Sequence, residues 1–182
     1  AAAAGRKASA TPNEDLLGAA EMGDHEVLKQ ALADGADVEA VDAKSLTALH
    51  YAAYYGRPDD ITALLAGGAK VDCTNKAGVT PLIFAASEGW DDCVPVLLKG
   101  GASVTVATNK GRTAVQAARE KLGKVDAEEK PRYEKVVKQL EAAEGSGGGG
   151  AVAPARSSPA PAPAAAPKAG GFGGGFSFGG AP

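Results

Sequence analysis

The sequence predicts an all-α solenoid of stacked helix-turn-helix units. Three observations predict it. Thr47-Ala48-Leu49-His50 returns as Thr80-Pro81-Leu82-Ile83 and again as Thr113-Ala114-Val115-Gln116, at a constant step of 33 residues. Gly23, Gly56 and Gly89 keep that step, as do Gly35-Ala36, Gly68-Ala69 and Gly101-Ala102. Between these markers, apolar residues recur at helical spacing. A fixed period of this length marks an array in which each unit buries its apolar face on its neighbours.

Four units fall on the grid: 13–41, 42–74, 75–107 and 108–144. Each opens with a turn, followed by a short Ala-rich helix such as Thr47–Tyr55. Gly23, Gly56 and Gly89 break the first helices. A second helix then carries its apolar residues three and four apart. They are Val27, Leu28, Ala31 and Leu32 in unit one and Ile61, Leu64 and Leu65 in unit two. In unit three they are Cys93, Val94, Leu97 and Leu98. The Gly-Ala pairs end these helices, with Gly in the left-handed conformation. Pro95 is tolerable only in a first turn, where its missing N–H is not needed. In unit four, Val136 and Leu140 overshoot the grid by 9 residues. The first helix therefore runs through Leu122, a polar loop spans Gly123–Lys130, and Pro131 starts a last helix over Arg132–Glu144.

The motif Thr47-Ala-Leu-His-Tyr-Ala-Ala-Tyr-Tyr-Gly56 and its echo Thr80-Pro-Leu-Ile-Phe-Ala-Ala-Ser-Glu-Gly89 resemble those of ankyrin-repeat proteins. So does the Leu-Leu-x-x-Gly-Ala pattern at 64–69 and 97–102. The resemblance implies L-shaped units with hairpin-like fingers. It also implies a Thr that caps the first helix and bonds the motif His, which makes His50 structural. Unit one has Glu14-Asp15-Leu16-Leu17 in place of the motif, with Lys29 and Gln30 on its outer side, as an N-terminal capping unit requires. Ile83 replaces the motif His in unit three, so its cap network must differ. Glu134, Lys135, Lys138 and Glu141 keep the last helix soluble as a C-terminal cap.

All 22 acidic residues lie between Glu14 and Glu144, against 15 of the 19 Lys and Arg. That body carries a net charge of −7, which argues against nucleic acid as the main partner. Two cysteines, Cys73 and Cys93, make no disulfide framework and fit a reducing intracellular compartment. No apolar run approaches the roughly 18–20 residues of a membrane span, so direct membrane insertion is not expected. Residues 1–12 read as a disordered leader. Their Ala-rich, acid-free composition resembles the remnant of an organellar transit peptide. Ankyrin modules of plastid protein-targeting factors look similar in repeat count and enlarged last repeat, although no chromodomain-like segment is present. The chloroplast is thus favoured over the cytosol. Residues 145–182 form a low-complexity tail holding Phe172, Phe176 and Phe178, three of the four Phe in the chain. Such a segment cannot build a core.

The sequence shows no nucleophile elbow, phosphate loop or dinucleotide fingerprint. His25, placed at the start of a second helix and expected to be exposed, makes no metal-ligand spacing with His50, Cys73 or Cys93. Asp59-Asp60 and Asp91-Asp92 sit at helix starts, where they complement the helix dipole. A non-enzyme without cofactor or metal is the expectation. Its partner is a protein, held on the concave face that the family uses. By register the contact residues are Lys44, Leu46, Tyr54 and Tyr55 in unit two. In unit three they are Lys76, Val79, Ser87 and Glu88; in unit four, Lys110, Arg112 and Arg119. Tyr54 and Tyr55 stand out, because core geometry asks for no aromatic there and Tyr is a preferred interface anchor. Trp90 is a further candidate, with packing against the adjacent second helix as its other reading. Tyr51 and Phe84 share one register position and are expected in the core. The alternative function is a structural tether in a larger, plastid assembly, anchored through Phe172, Phe176 and Phe178.

Overall fold

A computed structural model describes residues 11–145. Among these residues are eight helices and no strand. They are α1 (Pro12–Met22), α2 (His25–Ala33), α3 (Ala48–Tyr54), α4 (Pro58–Ala66), α5 (Pro81–Glu88), α6 (Cys93–Lys99), α7 (Ala114–Leu122) and α8 (Lys130–Gly145). The expected loop and last helix of unit four lie where the 9-residue overshoot puts them. The expected leader, 1–12, falls outside the described residues except at its end. There α1 begins at Pro12 and is capped by Thr11, whose hydroxyl accepts from the Glu14 amide. The first helix of unit one therefore starts a full turn before its grid position.

The helices form two layers. α1, α3, α5 and α7 pack side by side, and α2, α4, α6 and α8 pack behind them. None of α1–α7 exceeds 11 residues. Isolated helices below about 12–15 residues are marginal in water, so this stack is held by packing. The alanine pairs 19-20, 52-53, 85-86 and 117-118 are buried, allowing successive first helices to approach closely. Leu16, Leu49, Leu82 and Val115 fill the remaining space in that layer. Leu28, Ile61, Leu64, Val94, Leu97, Val136 and Leu140 seal the second layer against the first.

The fingers are tight turns, not strands. Asp42 N–H donates to the Leu46 carbonyl (3.0 Å), Asn75 to Val79 (3.2 Å) and Thr108 to Arg112 (2.9 Å). Asp42 and Asn75 also fold their side chains inward, each accepting from amides two and four residues on. Neighbouring fingers are stitched together. The Lys76 ammonium donates to the Ala43 carbonyl (2.7 Å), and the Asn109 side chain donates to the Lys76 carbonyl (3.0 Å).

His50 ties unit two to unit three. The Thr47 amide donates to His50 Nδ1 (3.1 Å), while Thr47 Oγ1 accepts from the His50 amide (3.4 Å). With Nδ1 accepting, the proton lies on Nε2, which donates to the Val79 carbonyl (3.1 Å). In unit three, Ile83 offers no such donor. Thr80 still caps α5, and the next finger is held by Asn109, whose amide donates to the Ala77 carbonyl (3.0 Å). In unit four, Gln116 restores the reciprocal cap with Thr113.

Two expectations are corrected here. His25 is only partly exposed, and its Nδ1 lies 2.5 Å from Asp60 Oδ1. Asp60 is buried, so it serves as a tie between α2 and α4 as well as a helix-start acid. Tyr51 and Phe84 are half-buried, not core. The Tyr51 hydroxyl donates to Asp42 Oδ2 at 2.9 Å. Burial and that carboxylate push Tyr51 up to about 12.

Burial drives the His50 pKa down to about 4 from 6.5, although the Val79 carbonyl pulls the other way. Between those values the unfolded chain takes up a proton that the folded imidazole refuses. Stability from this group is therefore complete above pH 6.5 and is lost as pH falls towards 4. The loss is at most about 3 kcal/mol. Urea unfolding measured across this window is expected to show the decline, and His50→Gln to flatten it relative to the parent chain.

Candidate functional site

The face formed by the fingers and first helices carries the exposed aromatic residues. Tyr54 and Tyr55 are 42% and 40% exposed at the end of α3. They meet edge to face at 5.0 Å between ring centroids. Tyr54 in turn meets Phe84 of α5 edge to face at 5.7 Å. Tyr51 stacks on Tyr55 at 6.4 Å. Behind this strip, the His50 ring meets Phe84 at 5.9 Å. The aromatic residues of units two and three thus form one continuous surface.

Phe84 leads directly into a groove between α5 and α7. Its walls include Val79, Ile83, Phe84, Thr108, Arg112 and Ala117, and it encloses about 200 Å³. Ser87, Glu120 and Lys121 complete the lining. The groove opens beside Ile83, the position that His50 fills in unit two. Small-molecule sites usually exceed about 300 Å³, so this space suits one side chain better than a cofactor. Arg112 and Lys124 both pair with Glu120, at 2.5 and 2.7 Å. Lys124 first, then Arg112, holds the Glu120 carboxyl down to about 2. It stays ionised at any physiological pH and is not a proton donor.

The structure brings together Tyr54, Tyr55, Val79, Ser87 and Arg112 on this strip and groove. Lys44, Lys76 and Lys110 stand exposed at the fingertips beside it. Leu46 is half-buried at the base of its finger. Glu88 is half-buried and accepts from the Ser87 hydroxyl at 3.3 Å. Arg119 points elsewhere, to Glu141 on α8. Phe172, Phe176 and Phe178 lie outside the described residues.

Trp90 is half-buried against the core. Its ring lies against Gly56, and its Nε1–H donates to the Tyr54 carbonyl (2.8 Å) at the end of α3. The Arg132 guanidinium covers the ring at 4.7 Å. The same arrangement occurs at both neighbouring positions. Arg57 lies against Gly23 and donates to the Ala20 and Glu21 carbonyls. Tyr133 lies against Gly89 and donates to the Ser87 carbonyl (3.1 Å). Each closes the open carbonyl end of the preceding first helix. The sequence signal was a donor-bearing side chain directly after the repeat glycine, at 57 and 90. In the last unit the 9-residue overshoot hid its counterpart, Tyr133.

Among the described residues no group of His, Cys, Asp and Glu could hold a metal ion. Burial pushes the Cys73 thiol up to about 11 and the Cys93 thiol up to about 12, so neither is a thiolate at neutral pH. No helix among the described residues is long and apolar enough to cross a membrane.

Comparison with known families agrees with this geometry. A family model described as ankyrin repeats in three copies matches residues 55–129. A second, described as ankyrin repeats in many copies, matches residues 16–65. The chain is an ankyrin-repeat protein. A search of curated proteins finds no match. Ankyrin repeats are in general non-catalytic protein–protein interaction modules.

The Gly56 contact gives a direct test of the helix-end closure. Gly56 has φ +72°, and an added Cβ would sit 2.3 Å from the Trp90 ring. Gly56→Ala is expected to cost about 2–4 kcal/mol, backbone strain and overlap together. In a Trp90→Ala background only the strain remains, and urea denaturation is expected to show the cost falling to about 1 kcal/mol.

Proposed function

We propose that this ankyrin-repeat protein is a non-catalytic binding module that grips a segment of one partner protein on its concave finger and first-helix face. The observation that carries this reading is the unbroken run from Tyr55 through Tyr54 and Phe84 into the groove beside Ile83. Exposed aromatic anchors next to a recess are the usual centre of an interface. Charged residues at its edge tune specificity and the rate of encounter more than affinity.

A tether reading rests on a different observation. Three of the four Phe lie beyond the repeats, in 145–182, where the repeat pattern does not account for them. In that reading the repeats dock in a larger plastid assembly, and Phe172, Phe176 and Phe178 anchor it through a groove on a neighbour.

Crosslinking and affinity purification from the source organism would supply the partner. Tyr54→Ala combined with Tyr55→Ala is then expected to weaken its binding about 30-fold or more, as loss of a hot-spot anchor does. Isothermal titration checks this, and unchanged affinity would show that the face is misassigned. If the tether reading holds instead, the double variant binds normally and Phe172→Ala, Phe176→Ala and Phe178→Ala together release the partner.

A further inference from the structure

We propose that the partner segment is acidic and carries one apolar or aromatic side chain that enters the groove beside Ile83. This deepens the binding-module reading and rests on it. The argument starts from where the charge lies. The body from Glu14 to Glu144 has a net charge of −7, yet its finger edge has the opposite sign. The tip residues 43–46, 76–79 and 109–112 carry Lys44, Lys76, Lys110 and Arg112 and no acid.

These cations form one edge, because the three fingers are hydrogen-bonded to one another in order. Lys44, Lys76 and Lys110 have no ion pair among the described residues. Asp42, at the base of the first of these fingers, is turned inward onto the Lys44 and Leu46 amides and the Tyr51 hydroxyl. Glu120 is the carboxylate on the groove wall, and two cations, Arg112 and Lys124, share it. Asp42 offsets Lys44 in part through space, but among the described residues no carboxylate pairs with Lys76 or Lys110 to neutralise the row. An acidic chain laid along the fingers would do so.

The groove supplies the second half of the argument. It begins at the fingers, with Val79 and Thr108, and ends on the first helices, with Phe84 and Ala117. A segment following the fingertips therefore passes its mouth. The recess of about 200 Å³ has room for a single large side chain. This chain's own tail is the wrong sign for the role. Residues 145–182 carry Arg156 and Lys168 and no acid.

The test uses the full chain and a fluorescein-labelled peptide of alternating Asp and Glu with one central Phe. Fluorescence anisotropy is expected to show binding that weakens as salt rises. Lys44→Glu, Lys76→Glu and Lys110→Glu together are expected to cut affinity about tenfold or more, and Lys44→Glu with Lys110→Glu, which keeps the Lys76 bond to the Ala43 carbonyl, is expected to weaken binding in the same direction with the melting curve unchanged. Replacing the peptide Phe by Ala is expected to cost about tenfold. Three results with the peptide would overturn the proposal. One is equal binding of a Lys peptide with the same Phe. Another is full affinity in the triple-Glu variant. The last is a tenfold gain when Phe172, Phe176 and Phe178 are changed to Ala, which would make the tail the occupant. Sedimentation adds a further check, since a dimer abolished by the triple-Glu change would assign the edge to a second copy instead. If the native partner loses affinity for the Tyr54 and Tyr55 double variant but not for the triple-Glu variant, the binding face stands and only its acidic specificity falls.

Discussion

Everything in this molecule depends on the contact between successive first helices across their paired alanines. Helices of seven to eleven residues do not hold themselves in water. They persist because Ala19-Ala20, Ala52-Ala53, Ala85-Ala86 and Ala117-Ala118 let one helix lie close against the next. A larger side chain at any of these positions would push the layers apart and lift the fingers out of register. The second helices then close the back of the stack with Leu, Ile and Val. The stability of each unit thus belongs to its neighbours, as in any quasi-one-dimensional array.

Close stacking creates a problem at the helix ends. The last carbonyls of each first helix face the next unit and need donors. Arg57, Trp90 and Tyr133 solve it in turn, each lying over a glycine and donating to carbonyls of the helix before it. Three different residue types do this because the requirement is only a flat or slender group with a donor at its tip. Arg132 then covers Trp90, so the enlarged last unit reaches back and locks unit three at two points. Beyond the longer loop, Tyr133 and Arg132 at the start of α8 arrive at the end of α5.

The same stacking shapes the candidate binding face. His50 spends Nδ1 on the cap of its own helix and Nε2 on the tie from unit two to unit three. Where Ile83 replaces it, the donor is gone, and the groove lies beside the substituted residue. A departure from the repeat therefore coincides with a recess that joins the aromatic strip. The acidic residues are used as structural acceptors or lie away from the fingertips: Asp42 folds its own turn, and Asp60 ties α2 to α4. The finger edge keeps Lys76 and Lys110 without a paired carboxylate among the described residues.

Much of the fold was legible in the sequence, because a repeat states the same instruction several times. The constant step, the alanine pairs and the glycine stops marked out the helix order and the place of the last helix. Tyr54 and Tyr55 could be singled out because the repeat gave them no task. The tertiary structure alone decided which side chains meet across units. The His25 pairing with Asp60, the Trp90 bond to the Tyr54 carbonyl and the joining of Phe84 to the groove all link residues about a repeat or more apart. Periodicity reports which face a residue is on. It does not report which atom of the neighbouring unit lies within hydrogen-bonding reach, since that depends on how closely the alanines let the layers approach.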